Sequence, residues 1–178
     1  MGTHPDLSLT KGLQEALENK DVPVATNYLP AYAEKMNLLR QNFKGGKALF
    51  TAPASPIKCG GAPQKIMYLS AYEWQKKGLE VELDFYTGTP TIFPNPYYGE
   101  ALKEVALGYN TNLHFKEDLV EIDPENQVAK FKNTETGKVT EKEFDLLHAT
   151  PQMRAPALLT EGGLTNANSY VNVNTKTL

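Results

Sequence analysis

Residues Ala52 to Gln75 read APASPIKCGGAPQKIMYLSAYEWQ and contain the only cysteine of the chain, Cys59. The run before it, KALFTA (Lys47–Ala52), is short, apolar and stopped by proline, the profile of a buried strand. The run after it predicts a helix from about Pro63 to Lys77, closed by Gly78. Proline is well tolerated at a first helical position, because that amide has no partner within the helix. The stretch is therefore a strand-to-helix turn with a thiol and two glycines at its bend, and the fold grows outward from it.

Upstream, Leu13–Leu17 forms a short helical patch, and AYAEKMNLLRQNF (Ala31–Phe43) predicts a helix that ends at Gly45-Gly46. Downstream, VELDFYTG (Val81–Gly88) alternates as a second strand and YYGEALKEVALGY (Tyr97–Tyr109) as a further helix. IFPNPYY between them reads as a capped entry to that helix, with a rigid packing loop as the alternative. From Asn112 the character changes to successive strands. LHF and LVEI precede the turn DPEN, and QVAKFK and KVTEKEF flank the turn NTETG. FDLLHATP is a last apolar strand halted by Pro151, and SYVNVNT in the tail alternates as a strand. The order β-α-β-α, then a β-meander and one more strand, predicts an α/β fold with a Rossmann-like parallel sheet.

The 178 residues suffice for one sizeable core. Hydrophobic content of 40%, charged content of 22% and a net charge of −3 describe an ordinary globular domain. Without a basic stripe, nucleic acid is not an expected partner. A lone cysteine forms no internal disulfide framework, and no apolar run reaches the roughly 18 residues of a membrane span. The opening residues lack the regions of a signal peptide. Both ends read as cut, with residues 1–8 expected to be a leader or cloning scar.

A thiol is a nucleophile only as thiolate, which cationic neighbours and a helix N-terminus favour. Lys58 adjoins Cys59, and Lys65 lies in the first part of the following helix. Gly60 and Gly61 carry no side chain and leave room for a reactant or cofactor to approach the sulfur. A free cysteine is equally a small buried hydrophobe, so the residues alone leave nucleophilic and inert readings open. The strand–turn–helix also invites dinucleotide binding, but KCGGAPQK lacks the G-x-G-x-x-G fingerprint. The second strand ends FYTG rather than in the acid that binds ribose hydroxyls, and Asp84 falls in mid-strand. His4, His114 and His148 have no metal-ligand spacing; no metal site is expected, and His114 reads as structural or solvated. The acidic residues from Glu117 to Glu125 read as a solvated strand face.

PIKCGGAPQKIMYLS (Pro56–Ser70) closely resembles the P-x-K-C-x-G-A-P-Q-K-I-M-Y-L stretch of the mitochondrial type of sulfide:quinone oxidoreductase. TNY (Thr26–Tyr28), FKGGKALFT, LVEI, FDLLHATPQM and YVNVNTKTL are similar to further segments of that family, with Gln152 replacing a family proline. The resemblance extends over nearly the whole chain after the first residues. It implies a flavoprotein related to the pyridine-nucleotide disulfide reductases. Residues 9–44 would be a linker and helix from the FAD-domain side, 45–151 the NAD-like Rossmann domain, and 152–178 the return toward the FAD domain.

In that family sulfide reduces a redox cysteine pair through a persulfide, and electrons pass to FAD and then to quinone. The resemblance makes Cys59 the catalytic cysteine matching the first of that pair, gives Gly60 and Gly61 to flavin access, and Lys58 and Lys65 to thiolate stabilisation. It implies sulfide, quinone and a sulfane-sulfur acceptor as partners, and a peripheral place on the mitochondrial inner membrane. The FAD fingerprint, the second cysteine and the membrane-docking region of the family do not appear among these residues. The chain is thus expected to be an inactive fragment that binds no FAD alone. The rival readings are an NAD(P)H-dependent flavin disulfide reductase domain and an interaction module with an inert cysteine.

Overall fold

A parallel strand buried on both faces needs apolar or paired side chains, and the second predicted strand buries its run from Leu83 to Thr87. The computed structural model describes residues 3–166, 170–174 and 176–177. In chain order its elements begin with β1 (His4–Pro5), α1 (Leu13–Glu18), β2 (Val24–Ala25), α2 (Pro30–Asn42) and β3 (Gly46–Ala52). There follow α3 (Ala62–Lys76), β4 (Val81–Thr87), α4 (Pro96–Gly108), β5 (Asn112–Phe115), β6 (Glu117–Asp123), β7 (Val128–Asn133) and β8 (Val139–Glu143). The order closes with β9 (Leu146–His148), β10 (Met153–Arg154) and α5 (Ala157–Glu161).

Five strands form one sheet in the order β2-β9-β3-β4-β5, and every neighbouring pair in it is parallel. The chain leaves β3 toward β4 and β5 and returns through β9 on the other side. The order therefore switches direction between β3 and β9. At such a switch point, crevices open beyond the carboxyl ends of the strands.

The strand period of two divides the core. Ala48 and Phe50 of β3, with Leu83 and Phe85 of β4, pack in a cluster with Met36, Met67, Ala71 and Trp74 from the helices. Leu49 and Tyr86 point the other way, into a cluster with Leu13 and Leu17 of α1 and with Leu119, Ile122 and Phe131 of the meander. The meander is the antiparallel sheet β6-β7-β8, so the sheet is covered by helices on one face and by strands on the other. Trp74 fastens the helical layer: it is 1% exposed, its indole packs at a tilt of 41° with its centroid 4.6 Å from that of Phe43, and its Nε1 donates to the Arg40 carbonyl at 2.9 Å.

The turn chemistry follows the sequence. Asp123 accepts the Glu125 and Asn126 amides, and Asn133 accepts those of Glu135 and Thr136. Asn95 caps α4 by accepting the Tyr97 and Tyr98 amides, and Pro96 occupies the first turn, so IFPNPYY is a capped helix entry. LHF does not join the meander but becomes β5, the last strand of the parallel sheet. Residues 4–5, at the start of the chain, pair with β10, and Asp6 forms an ion pair with Arg154.

SYVNVNT does not form the expected strand among the described residues. Thr165 and Val171 make one antiparallel bridge, and residues 171–174 are exposed. Ser169 and Thr175 lie outside the described residues.

Candidate functional site

Cys59 lies on the loop that leaves the carboxyl end of β3 and enters α3, on the side of the sheet where the switch point opens. Its side chain is exposed. The turn bends at the cysteine rather than at the glycines. Cys59 has φ +52°, in the left-handed region that L residues other than glycine seldom occupy, whereas Gly61 has φ −88°. Such a conformation costs about 1–2 kcal/mol and persists only where its surroundings hold it.

Three side chains from three other segments hold this loop. The Tyr28 hydroxyl donates to the Cys59 carbonyl at 2.9 Å, and that carbonyl also accepts the Ala62 amide at 2.9 Å. The Tyr170 hydroxyl donates to the Pro56 carbonyl at 3.1 Å. The Ala54 amide donates to Asp118 Oδ1 at 3.2 Å. Gly88, at the end of β4, lets the strand approach closely, since a Cβ there would stand 2.5 Å from the Ala54 nitrogen.

Gly60 and Gly61 border open space. A Cβ on Gly60 would meet only the Phe93 ring edge, at 3.7 Å, and one on Gly61 would meet nothing within 4 Å. Lys58 and Lys65 flank the turn with exposed side chains; neither hydrogen-bonds the thiol or joins an ion pair among the described residues. The chain thus brings together the thiol, the open glycine edge and Tyr28, and leaves both ammonium groups in solvent.

Burial shapes the rest of this edge. His148, at the end of β9, is fully buried, and burial pushes its imidazole down to about 3, so it stays neutral. Its Nε2 lies 3.0 Å from Asn27 Oδ1, and its Nδ1 has no partner among the described residues. Burial, and secondarily the charge of Cys59, hold the Tyr28 phenol well above its ordinary range, so Tyr28 remains a donor. Burial pushes the Asp118 carboxyl up to about 6, partly offset by the Ala54 amide.

The acidic run is therefore not a uniform solvated face. Glu121 pairs at the surface with Lys11 and Lys130, while Asp118 turns in toward the cysteine loop. Away from this loop, Asp84 and His114 meet on the meander-facing side: Asp84 is buried, its Oδ1 lies 2.5 Å from His114 Nε2, and the imidazole stacks 4.1 Å from Tyr86. Among the described residues no group of three His, Cys, Asp or Glu side chains is placed to hold a metal ion. No helix there is long and apolar enough to cross a membrane.

Against this geometry the comparisons are specific. Curated homologues 34–37% identical over 94–100% of the chain are named mitochondrial sulfide:quinone oxidoreductase; that of Schizosaccharomyces pombe is 37% identical over 99% of the chain. These relatives are sulfide:quinone oxidoreductases. The chain spans 39% of the length of the S. pombe protein. No family model matches.

Among solved structures, the sulfide:quinone oxidoreductase of Aquifex aeolicus superposes with a TM-score of 0.69 at 18% identity, over 94% of this chain and 40% of that one. A chain of the Tetrahymena thermophila mitochondrial ATP synthase structure superposes at 0.80 with 22% identity, over 97% of this chain and 44% of that one. At these identities the likeness is one of fold, and it is the fold read from the sequence: α/β, with a Rossmann-like parallel sheet and a meander.

The residues placed Tyr28 and Tyr170 only within the TNY and YVNVNTKTL resemblances, and Asp118 only within an acidic run read as a solvated face; none was assigned a part in holding the cysteine loop. Tyrosine hydroxyls reaching backbone carbonyls leave no periodic signal. Gly88, after a strand that needs no turn glycine of its own, was the one mark of close packing against the loop.

Two outcomes follow from the energetics of the loop. Burial raises the Asp118 carboxyl from its ordinary 3.8 to about 6 in the fold, so between those values the native state binds more protons and stability falls as pH rises. Asp118→Asn removes the buried charge and keeps an acceptor for Ala54; it is expected to stabilise the chain by about 1–3 kcal/mol at pH 8 and far less at pH 4. Denaturant unfolding at the two pH values measures this, and equal effects at both would contradict it. Separately, Cys59→Gly relieves the left-handed strain that Cys59→Ala retains. The glycine variant should be the more stable by about 1 kcal/mol, and a less stable one would show that the turn carries no strain.

Proposed function

We propose that this chain is the NAD-like lobe of a mitochondrial, FAD-dependent sulfide:quinone oxidoreductase, and that Cys59 is one member of the sulfide-reactive cysteine pair. The observation that carries the proposal is the placement of an exposed thiol in a strained, tethered turn at the switch point of the sheet. It is supported by 37% identity to the S. pombe sulfide:quinone oxidoreductase over 99% of the chain.

The residues fit a flavin ring beside the thiol, because the Gly60-Gly61 edge presents open space where any larger side chain would project. The flavin, when bound, accepts the electron pair that sulfide gives up and passes it to quinone. In the thiol chemistry, hydrosulfide attacks the disulfide that Cys59 forms with a second cysteine contributed from outside these residues. One S–S bond breaks, a persulfide S–S bond forms, and the displaced cysteine leaves as thiolate. Transfer of the outer sulfur to an acceptor nucleophile leaves the pair as two thiolates, whose two electrons the flavin, when bound, would take up as the disulfide re-forms. Lys58 and Lys65, exposed on either side of the turn, bring positive potential to an anionic substrate.

Two other readings predict different behaviour. A pyridine-nucleotide-dependent reductase would bind ribose through an acid at the end of β4, where this chain has Thr87 and Gly88. An interaction module with an inert cysteine would show no thiol chemistry at all. Cys59→Ser in the flavoprotein carrying this segment separates them. Anaerobic addition of sulfide should bleach the flavin of the native protein and leave that of the serine variant oxidised, with flavin content unchanged. Flavin reduction by sulfide at the native rate in the variant would refute the assignment of Cys59.

A further inference from the structure

We infer that Tyr28 is a positioning residue for the Cys59 sulfur, fixing its direction through the backbone carbonyl of Cys59; this rests on the reading of Cys59 as the redox thiol. Left-handed backbone at a residue with a Cβ relaxes unless something outside the turn opposes it. Two donors meet at the Cys59 carbonyl, the Ala62 amide and the Tyr28 hydroxyl, each at 2.9 Å. A carbonyl oxygen has two lone pairs, so these two bonds saturate it. Together they fix the peptide plane between Cys59 and Gly60, and with φ held at +52° they fix the direction of the Cα–Cβ bond that carries the sulfur.

The two donors are not equivalent. Ala62 opens α3, belongs to the same turn, and moves with it. Tyr28 follows β2, which reaches β3 only across β9, so its hydroxyl references the cysteine to the sheet itself. The Tyr170 hydroxyl holds the same loop three residues earlier, at Pro56, and leaves the Cys59 peptide free to turn.

The electrostatics select orientation over proton transfer. Burial and the charge of Cys59 both oppose ionisation of the Tyr28 phenol, so it does not take the thiol proton and stays a donor while the thiol becomes a thiolate. A sulfur displaced by about 1 Å from its reactive position costs up to about 100-fold in rate.

The test is Tyr28→Phe in the full-length flavoprotein, followed by anaerobic stopped-flow reduction of the flavin by sulfide. The limiting rate is expected to fall by about tenfold or more, while flavin content, unfolding midpoint and the sulfide concentration at half-maximal rate stay close to native. A limiting rate within about twofold of native in a folded, flavin-loaded variant overturns the inference. If Cys59→Ser also leaves sulfide reduction intact, the reading of Cys59 falls first; if Cys59→Ser abolishes it and Tyr28→Phe does not slow it, only the Tyr28 inference falls.

Should the phenylalanine variant fail to fold, 3,5-difluorotyrosine at position 28 keeps the shape and acidifies the phenol. The rate should then drop with rising pH as the donor ionises, in a range where the native rate is flat. Identical pH profiles would overturn the inference.

Discussion

The fold depends on burying both faces of β3 and β4 at once. Each strand alternates its side chains between a helical layer anchored by Trp74 and a meander whose inner face carries Leu119, Ile122 and Phe131. From Leu83 to Thr87 no position is left for a solvated group, so the acid in that run, Asp84, is buried against His114. The same constraint drives chemistry outward. With both faces sealed, reactive groups collect where the strands end, and the chain puts its only thiol there.

At that edge the polar groups divide by how they are satisfied. Backbone carbonyls of the cysteine loop are reached by two tyrosine hydroxyls, and the Ala54 amide by the half-buried Asp118 carboxylate. Each of these side chains comes from a different part of the chain: after β2, from the tail, and from the meander. The loop is therefore an assembly of distant segments around a short strained turn, in keeping with the way strain persists at functional sites. Among the described residues, no side chain stands within 4 Å of a Cβ built on Gly61, and only the Phe93 ring edge approaches one on Gly60.

Much of this architecture was legible in the residues. Hydrophobic runs of strand length bounded by proline or glycine located β3 and β4, and the turns DPEN and NTETG announced the meander through Asp123 and Asn133. The tail misled because SYVNVNT alternates without an apolar set large enough to pack, and Val171 and Val173 remain exposed. LHF was placed next to the meander by proximity in sequence, yet its register with β4 makes it the last parallel strand. Cys59 was legible as a candidate from its turn, but the geometry that distinguishes it was not. The residues placed the thiol and the two glycines together at the bend, and it is the cysteine that adopts positive φ, its carbonyl held by Tyr28, thirty-one residues earlier.

On the proposed chemistry, Cys59 cycles between oxidised and reduced sulfur as sulfide is consumed. The most direct measurement is the alkylation state of Cys59, read by peptide mass spectrometry on the air-oxidised flavoprotein before and after anaerobic addition of one equivalent of sulfide. The account predicts that Cys59 resists alkylation in the oxidised protein, where it is held in a disulfide, and is recovered as an alkylated thiol or persulfide once sulfide has been added. Complete alkylation of Cys59 before sulfide, with no change afterward, would contradict it.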